Sequence, residues 1–76
     1  MTENRRDWTT GQRIDAIITD SDMKITDIAE KIGVSRQQIW YWKNDLQEMG
    51  VEKLKKFCEI MGVSADYVLG ITSSPQ

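Results

Sequence analysis

The chain contains no histidine and a single cysteine, Cys58, and none of its apolar runs approaches bilayer-spanning length. One cysteine excludes an internal disulfide, and without histidine no zinc-finger spacing can be written. The missing imidazole also removes the commonest general base and every His-dependent triad. No glycine-rich phosphate loop and no clustered carboxylate pair takes its place. Neither enzymatic activity nor a cofactor or metal is therefore expected. The first ten residues, "MTENRRDWTT", carry no apolar core behind their charges, so they do not read as a secretory signal. A reduced, cytoplasmic location without membrane association is expected.

An excess of positive charge is lacking too: 10 basic side chains stand against 12 acidic ones. A polybasic arm that coats nucleic acid indiscriminately is thereby excluded, but a local basic face is not, because binding depends on where the charges sit. Residues 1–22 hold Arg5, Arg6 and Arg13 against Glu3, Asp7, Asp15, Asp20 and Asp22, which accounts for the whole net charge of −2. The middle and last thirds are each neutral.

What is present is helical periodicity, throughout the chain. Its 76 residues make one small domain. Ile14, Ile17 and Ile18 mark a first helix from Thr9 or Thr10 to about Asp22. Ile25, Ile28, Ala29 and Ile32 mark a second, which Gly33 ends in a left-handed conformation. Ser35 opens a third helix, and Ser35 with Gln38 has the form of a capping box. "NDLQEMG", residues 44–50, has no periodicity and reads as a loop. Leu54, Phe57, Cys58 and Met61 mark a fourth helix, in which Cys58 is expected to be a small buried hydrophobe rather than a reactive thiol. "GVS" recurs at residues 62–64, where Ser64 starts a short last helix. The expected architecture is all-α: a flexible arm over residues 1–8, a five-helix domain over 9–71 containing a helix-turn-helix, and a disordered tail over 72–76.

The third helix carries the most informative stretch, "SRQQIWYWKN". Trp40, Tyr41 and Trp42 span about 200° of a helix with about 100° per residue, too wide for one buried stripe. Ile39 and Trp42 continue the apolar phase of Val34 and are placed inward. Arg36, Gln37, Trp40, Tyr41 and Asn44 then share one exposed face. Its chemistry suits a duplex groove. Arginine bonds guanine O6 and N7, glutamine bonds adenine N6 and N7, and exposed rings pack on a thymine methyl or a sugar. A solvated helix would carry several of the same residues, and Trp40 could equally shield a core edge or anchor a protein interface. Gln38 is assigned to the cap.

"ITDIAEKIGVSRQQIWYWKN", followed by a loop and "LKKFCEIMGVSADYVLG", resembles the phage Cro and lambda-repressor-like helix-turn-helix domain, the XRE family. The resemblance covers about residues 10–70, and "IAEKIGVS" and "MGVSADYVLG" are its most specific parts. It implies a five-helix lambda-repressor-like bundle in which residues 25–32 support a recognition helix over 36–44. It places Arg36, Gln37, Trp40 and Tyr41 at or beside base-contacting positions. Lys24, Ser35, Lys43 and Asn44 fall near the sugar-phosphate backbone. Arg13 falls where many members carry an arginine on the first helix; a solvated surface charge is the alternative.

Three departures stand out. A glutamine frequent at the start of the supporting helix is Ile25 here. The positions of a frequent Arg–Glu ion pair hold Ile18 and Lys43, which would free Lys43 to face the DNA backbone. The loop after the recognition helix carries Asp45 and Glu48, which would repel phosphates. Arg5 and Arg6 could supply a flexible arm, and Lys53, Lys55 and Lys56 read as the wet face of the fourth helix. Because one copy reads few base pairs, a two-fold dimer on half-sites is expected, with Tyr67, Val68, Leu69 and Ile71 as its surface; the alternative is that Val68 or Leu69 closes the monomer's own core. The implied function is a small phage or prophage repressor acting on a double-stranded DNA operator and regulated through its concentration or by a protein antagonist. The competing function is a protein-interaction module of the same fold, antitoxin- or antirepressor-like, using Trp40 and Tyr41.

Overall fold

The computed structural model describes residues 7–72, and among them it is all-helical. The expected arm over residues 1–8, with Arg5 and Arg6, and the tail over 72–76 lie largely outside the described residues. The elements are α1 (Thr10–Asp20), α2 (Ile25–Ile32), α3 (Arg36–Lys43), α4 (Val51–Met61) and α5 (Ala65–Leu69). α1 packs on α3 and α5, α2 on α3 and α4, and α4 on α5. The core is assembled from one stripe of each helix: Ile14, Ile17 and Ile18, then Ile28, Ala29 and Ile32, then Ile39 and Trp42, with Phe57, Tyr67 and Val68.

Local chemistry sets the boundaries. The complete capping box is at Thr9, not Ser35. Thr9 Oγ1 accepts from the Gln12 amide at 3.1 Å and Gln12 Oε1 accepts from the Thr9 amide at 2.8 Å. At Ser35 only half the box forms. Its hydroxyl oxygen accepts from the Gln38 amide at 3.1 Å, while the Gln38 side chain donates across the loop to Gln47 Oε1. α1 also stops two residues before the expected Asp22. Ser21 Oγ donates back to the Ile18 carbonyl at 2.7 Å and accepts from the Met23 amide at 3.2 Å. Asp22 then leaves the helix at φ +61°.

The other four helices end by one device, a left-handed residue followed by a bond from the next amide to the carbonyl five residues back. Val34 bonds Ala29 at 2.9 Å, Val63 bonds Cys58 at 3.2 Å and Ile71 bonds Asp66 at 2.8 Å. Gly33, Gly62 and Gly70 provide the left-handed residue at those ends. At the end of α3 the same bond runs from Leu46 to Tyr41 at 2.9 Å, and the left-handed residue is Asp45, φ +58°.

One alternative is removed here and one expectation is corrected. Arg13 is no solvated surface charge; it is 1 % exposed. Its Nη1 donates to the Tyr67 carbonyl at 3.4 Å, and its guanidinium carbon lies 5.5 Å from the Tyr67 ring centroid. Tyr67 (1 % exposed) and Val68 (0 %) are core residues, so they cannot form a dimer surface. An α5 of five residues must bury both to stay docked on α1. Only Leu69 (53 %) and Ile71 (71 %) of that expected surface remain exposed. Cys58 is half-buried against the core, and desolvation raises its thiol pKa, which disfavours the nucleophilic thiolate.

α1 and α3 come closest at Gly11. A Cβ there would lie 2.7 Å from the Lys43 carbonyl oxygen and 2.8 Å from the Asp45 carboxyl carbon. Neither a backbone carbonyl nor a carboxylate already bonded to this turn can retreat cheaply. Gly11→Ala is expected to lower stability by about 1–3 kcal/mol, the usual cost of overpacking. Urea unfolding followed by tryptophan fluorescence measures it, and an unchanged midpoint would show that the α1–α3 joint has slack.

Candidate nucleic-acid interface

α3 is oriented by what it buries. Ile39 and Trp42 are buried in the core, as their three-residue spacing predicts, and α3 packs on α1 and α2. The opposite edge is left to solvent: Arg36 and Gln37 are exposed, Trp40 is 52 % exposed, and Tyr41 is half-buried. These four side chains occupy adjacent turns at i, i+1, i+4 and i+5, so they form one continuous ridge. Arg36 and Gln37 stand in the first turn, next to the Ser35 cap, where an α-helix entering a major groove brings its side chains nearest to base edges.

The ridge is internally ordered. Gln37 Nε2 donates to the Tyr41 hydroxyl oxygen at 2.9 Å, one turn along. The rings of Trp40 and Tyr41 meet edge to face, with centroids 5.8 Å apart and planes at 62°.

The flanking residues are less free than their sequence positions imply. Lys24 is exposed at the start of α2 and Ser35 is exposed at the start of α3. Lys43 is not released by the loss of the family's ion pair. Its Nζ lies 3.0 Å from Asp15 Oδ1 of α1, and Ile18, at the other position of that pair, is in the core. The charge bridge between these helices is thus rebuilt one turn earlier in α1 with its polarity reversed. Asn44 is exposed, but its Nδ2 donates to the Trp40 carbonyl at 2.8 Å and closes the end of α3. Ile25 packs against the core rather than reaching outward.

Asp45 has a role that its position in the loop did not suggest. Its Oδ2 accepts from Thr9 Oγ1 at 2.5 Å and its Oδ1 accepts from the Gly11 amide at 2.8 Å. The carboxylate therefore caps the first turn of α1, where a negative charge also complements the helix dipole. Local spacing could not reveal this, since Asp45 and Gly11 are 34 residues apart. Also outside the expected set are Leu46 and Val51, apolar and 61 % and 83 % exposed at the two ends of this loop.

The helix-turn-helix family model matches residues 14–68. The chain belongs to this family, in its lambda-repressor-like, XRE-type branch. Among solved structures it is similar to the P22 c2 repressor in complex with a synthetic operator, at 26 % identity and TM-score 0.76, over 80 % of this chain and 92 % of that one. It is also similar to SinR, the master regulator for biofilm formation, in complex with DNA, at 27 % identity and TM-score 0.70, over 78 % and 98 % of the two chains. The N-terminal DNA-binding domain of SinR from Bacillus subtilis aligns at 25 % identity and TM-score 0.69, over 78 % and 87 %. No curated protein sequence matches. No helix among the described residues is long and apolar enough to cross a membrane.

Asp45→Gly removes the carboxylate and relieves the left-handed strain of a residue with a Cβ, whereas Asp45→Ala removes the carboxylate and keeps the strain. The first is expected to be near neutral, because relief of about 1 kcal/mol of left-handed strain offsets the lost cap, and the second to cost about 1 kcal/mol, the cap being lost with the strain kept. Thermal unfolding of the pair measures the split; equal melting temperatures would mean that the turn is unstrained.

Proposed function

We propose that this chain is a sequence-specific transcription regulator that occupies duplex DNA half-sites with α3 lying in the major groove. Family membership makes it a DNA-binding regulator rather than an enzyme. The observation that carries the finer reading is the outward ridge of Arg36, Gln37, Trp40 and Tyr41 at the capped end of α3. Arg36 supplies a bidentate donor pair for guanine and Gln37 a donor–acceptor edge for adenine. Trp40 offers a ring to a thymine methyl or a sugar.

Backbone contacts fall to Lys24, Ser35, Lys43 and Asn44. Lys43 reaches a phosphate by exchanging Asp15 for it. An exposed ion pair of this kind is worth no more than about 1 kcal/mol, so the exchange is inexpensive. Asn44 keeps its side chain on the Trp40 carbonyl and contributes its position at the helix end. With few cations facing the duplex and Glu48 beside it, affinity should fall only gently with salt, because each neutralised phosphate adds about 0.9 to the logarithmic slope.

Repression by operator occupancy follows from a domain that blocks a site by presence alone. The likeness to the P22 c2 repressor supports a phage or prophage setting. A two-fold dimer would double the base pairs read, with Leu69 and Ile71 as the remaining exposed apolar residues of its expected surface. Leu69→Asp should then reduce self-association in sedimentation on and off DNA; if the distribution of species does not change, another surface pairs the copies or none does.

A second reading has its own support. Trp40 is a large exposed aromatic, of the type that anchors protein interfaces, so a protein antagonist or toxin could be the partner. Titrating random and selected duplexes separates the two. Operator reading predicts that Gln37→Ala costs about 1–3 kcal/mol at one base pair and that Arg36→Ala does so at a neighbouring one. Duplex affinities that ignore both substitutions would leave protein binding as the better account.

A further inference from the structure

Within the ridge, one contact joins two side chains that the reading above treats separately. Gln37 Nε2 donates to Tyr41 Oη at 2.9 Å, and the Tyr41 ring is held against Trp40 at an interplanar angle of 62°. We infer that Tyr41 is a positioning residue that fixes the amide of Gln37 so that it reads adenine and rejects guanine. This rests on the proposal that α3 enters the major groove.

Discrimination follows from an inventory of hydrogens. A glutamine amide has two N–H hydrogens and one carbonyl oxygen. Adenine offers N7 as an acceptor and an N6 hydrogen as a donor, so it requires one amide hydrogen together with Oε1. Guanine offers acceptors at both N7 and O6, so satisfying it requires both amide hydrogens. A glutamine free to rotate can present either set. Once Tyr41 Oη takes one hydrogen, a single hydrogen and Oε1 remain. That remainder fits adenine and leaves one guanine acceptor facing Oε1, an unfavourable pair of lone pairs.

Discrimination requires that Tyr41 take the hydrogen on the Cγ side of the amide, which leaves the edge carrying Oε1 and the other hydrogen intact. Tyr41 can hold this position because it is half-buried and braced by Trp40, whereas Gln37 alone is exposed and would sample several rotamers. In accepting from Gln37, the Tyr41 hydroxyl keeps its own proton. Specificity here comes from excluding the wrong partner as much as from contacting the right one.

Two measurements on Tyr41→Phe test this. The first needs no DNA. In amide NMR spectra of the free protein, the two Gln37 side-chain hydrogens should be well separated and slow to exchange, and should collapse towards exposed-glutamine values in Tyr41→Phe. The second compares duplexes that carry adenine or guanine at the position identified by Gln37→Ala. The adenine preference, about 5- to 150-fold for a bidentate contact, should fall at least fivefold in Tyr41→Phe, with other positions unaffected. Unchanged amide signals would overturn the positioning role whatever the DNA result. Changed signals with an intact adenine preference would overturn the specificity claim, as would a loss of affinity uniform across sequences. Should Gln37→Ala and Arg36→Ala both leave DNA binding untouched, the groove-reading proposal itself fails, and the amide spectra still report on the contact.

Discussion

The structure depends on how the end of α3 is fastened to the start of α1. Three of the helices end on a left-handed glycine, and α3 ends in the same geometry on an aspartate. A carboxylate here costs backbone strain that a glycine would not. In return it bonds Thr9 and Gly11 and caps α1. The lack of a side chain at Gly11 lets the two helices meet at backbone distance, and the Lys43–Asp15 bridge spans the same joint. One residue thus terminates one helix and initiates another.

That fastening matters because α3 has only eight residues and would not be stable alone. Its direction comes from Ile39 and Trp42 in the core, and its rotation is set by the joint at its end. Between them they leave Arg36, Gln37, Trp40 and Tyr41 outward on one ridge. Sites carried on rigid helices hold recognition geometry more closely than sites on loops, since the ordering cost is met during folding. The outward ridge of a mildly acidic domain is itself free of carboxylates. Two of the chain's 12 acidic side chains are held within the framework, Asp45 on a helix cap and Asp15 on a lysine.

Buried arginine at position 13 completes the frame. α5 is too short to dock by apolar contact alone, and the guanidinium bonds a carbonyl of that helix while its face lies near the Tyr67 ring. Tyr67 and Val68 are consequently structural residues. The large apolar side chains left outside are Trp40, Leu46, Val51, Leu69 and Ile71.

The sequence by itself determined the helices and the facing of α3. Ile39 and Trp42 share a phase, Gly33 and Gly62 stop helices, and Ser35 and Ser64 start them; each signal spans no more than a turn or two of chain. The resemblance of the whole pattern to a known family followed from the same local signals. Partners far apart in sequence were decided only by the tertiary structure: Asp45 on Gly11, Lys43 on Asp15, and Arg13 against Tyr67. A charged side chain reads as solvated until a distant helix is seen to cover it, because neither burial nor a long-range hydrogen bond leaves any period in the sequence. The Gln37–Tyr41 contact lies between these cases. Its i, i+4 spacing was legible, but the donor and acceptor emerge only once both side chains are held on one outward face.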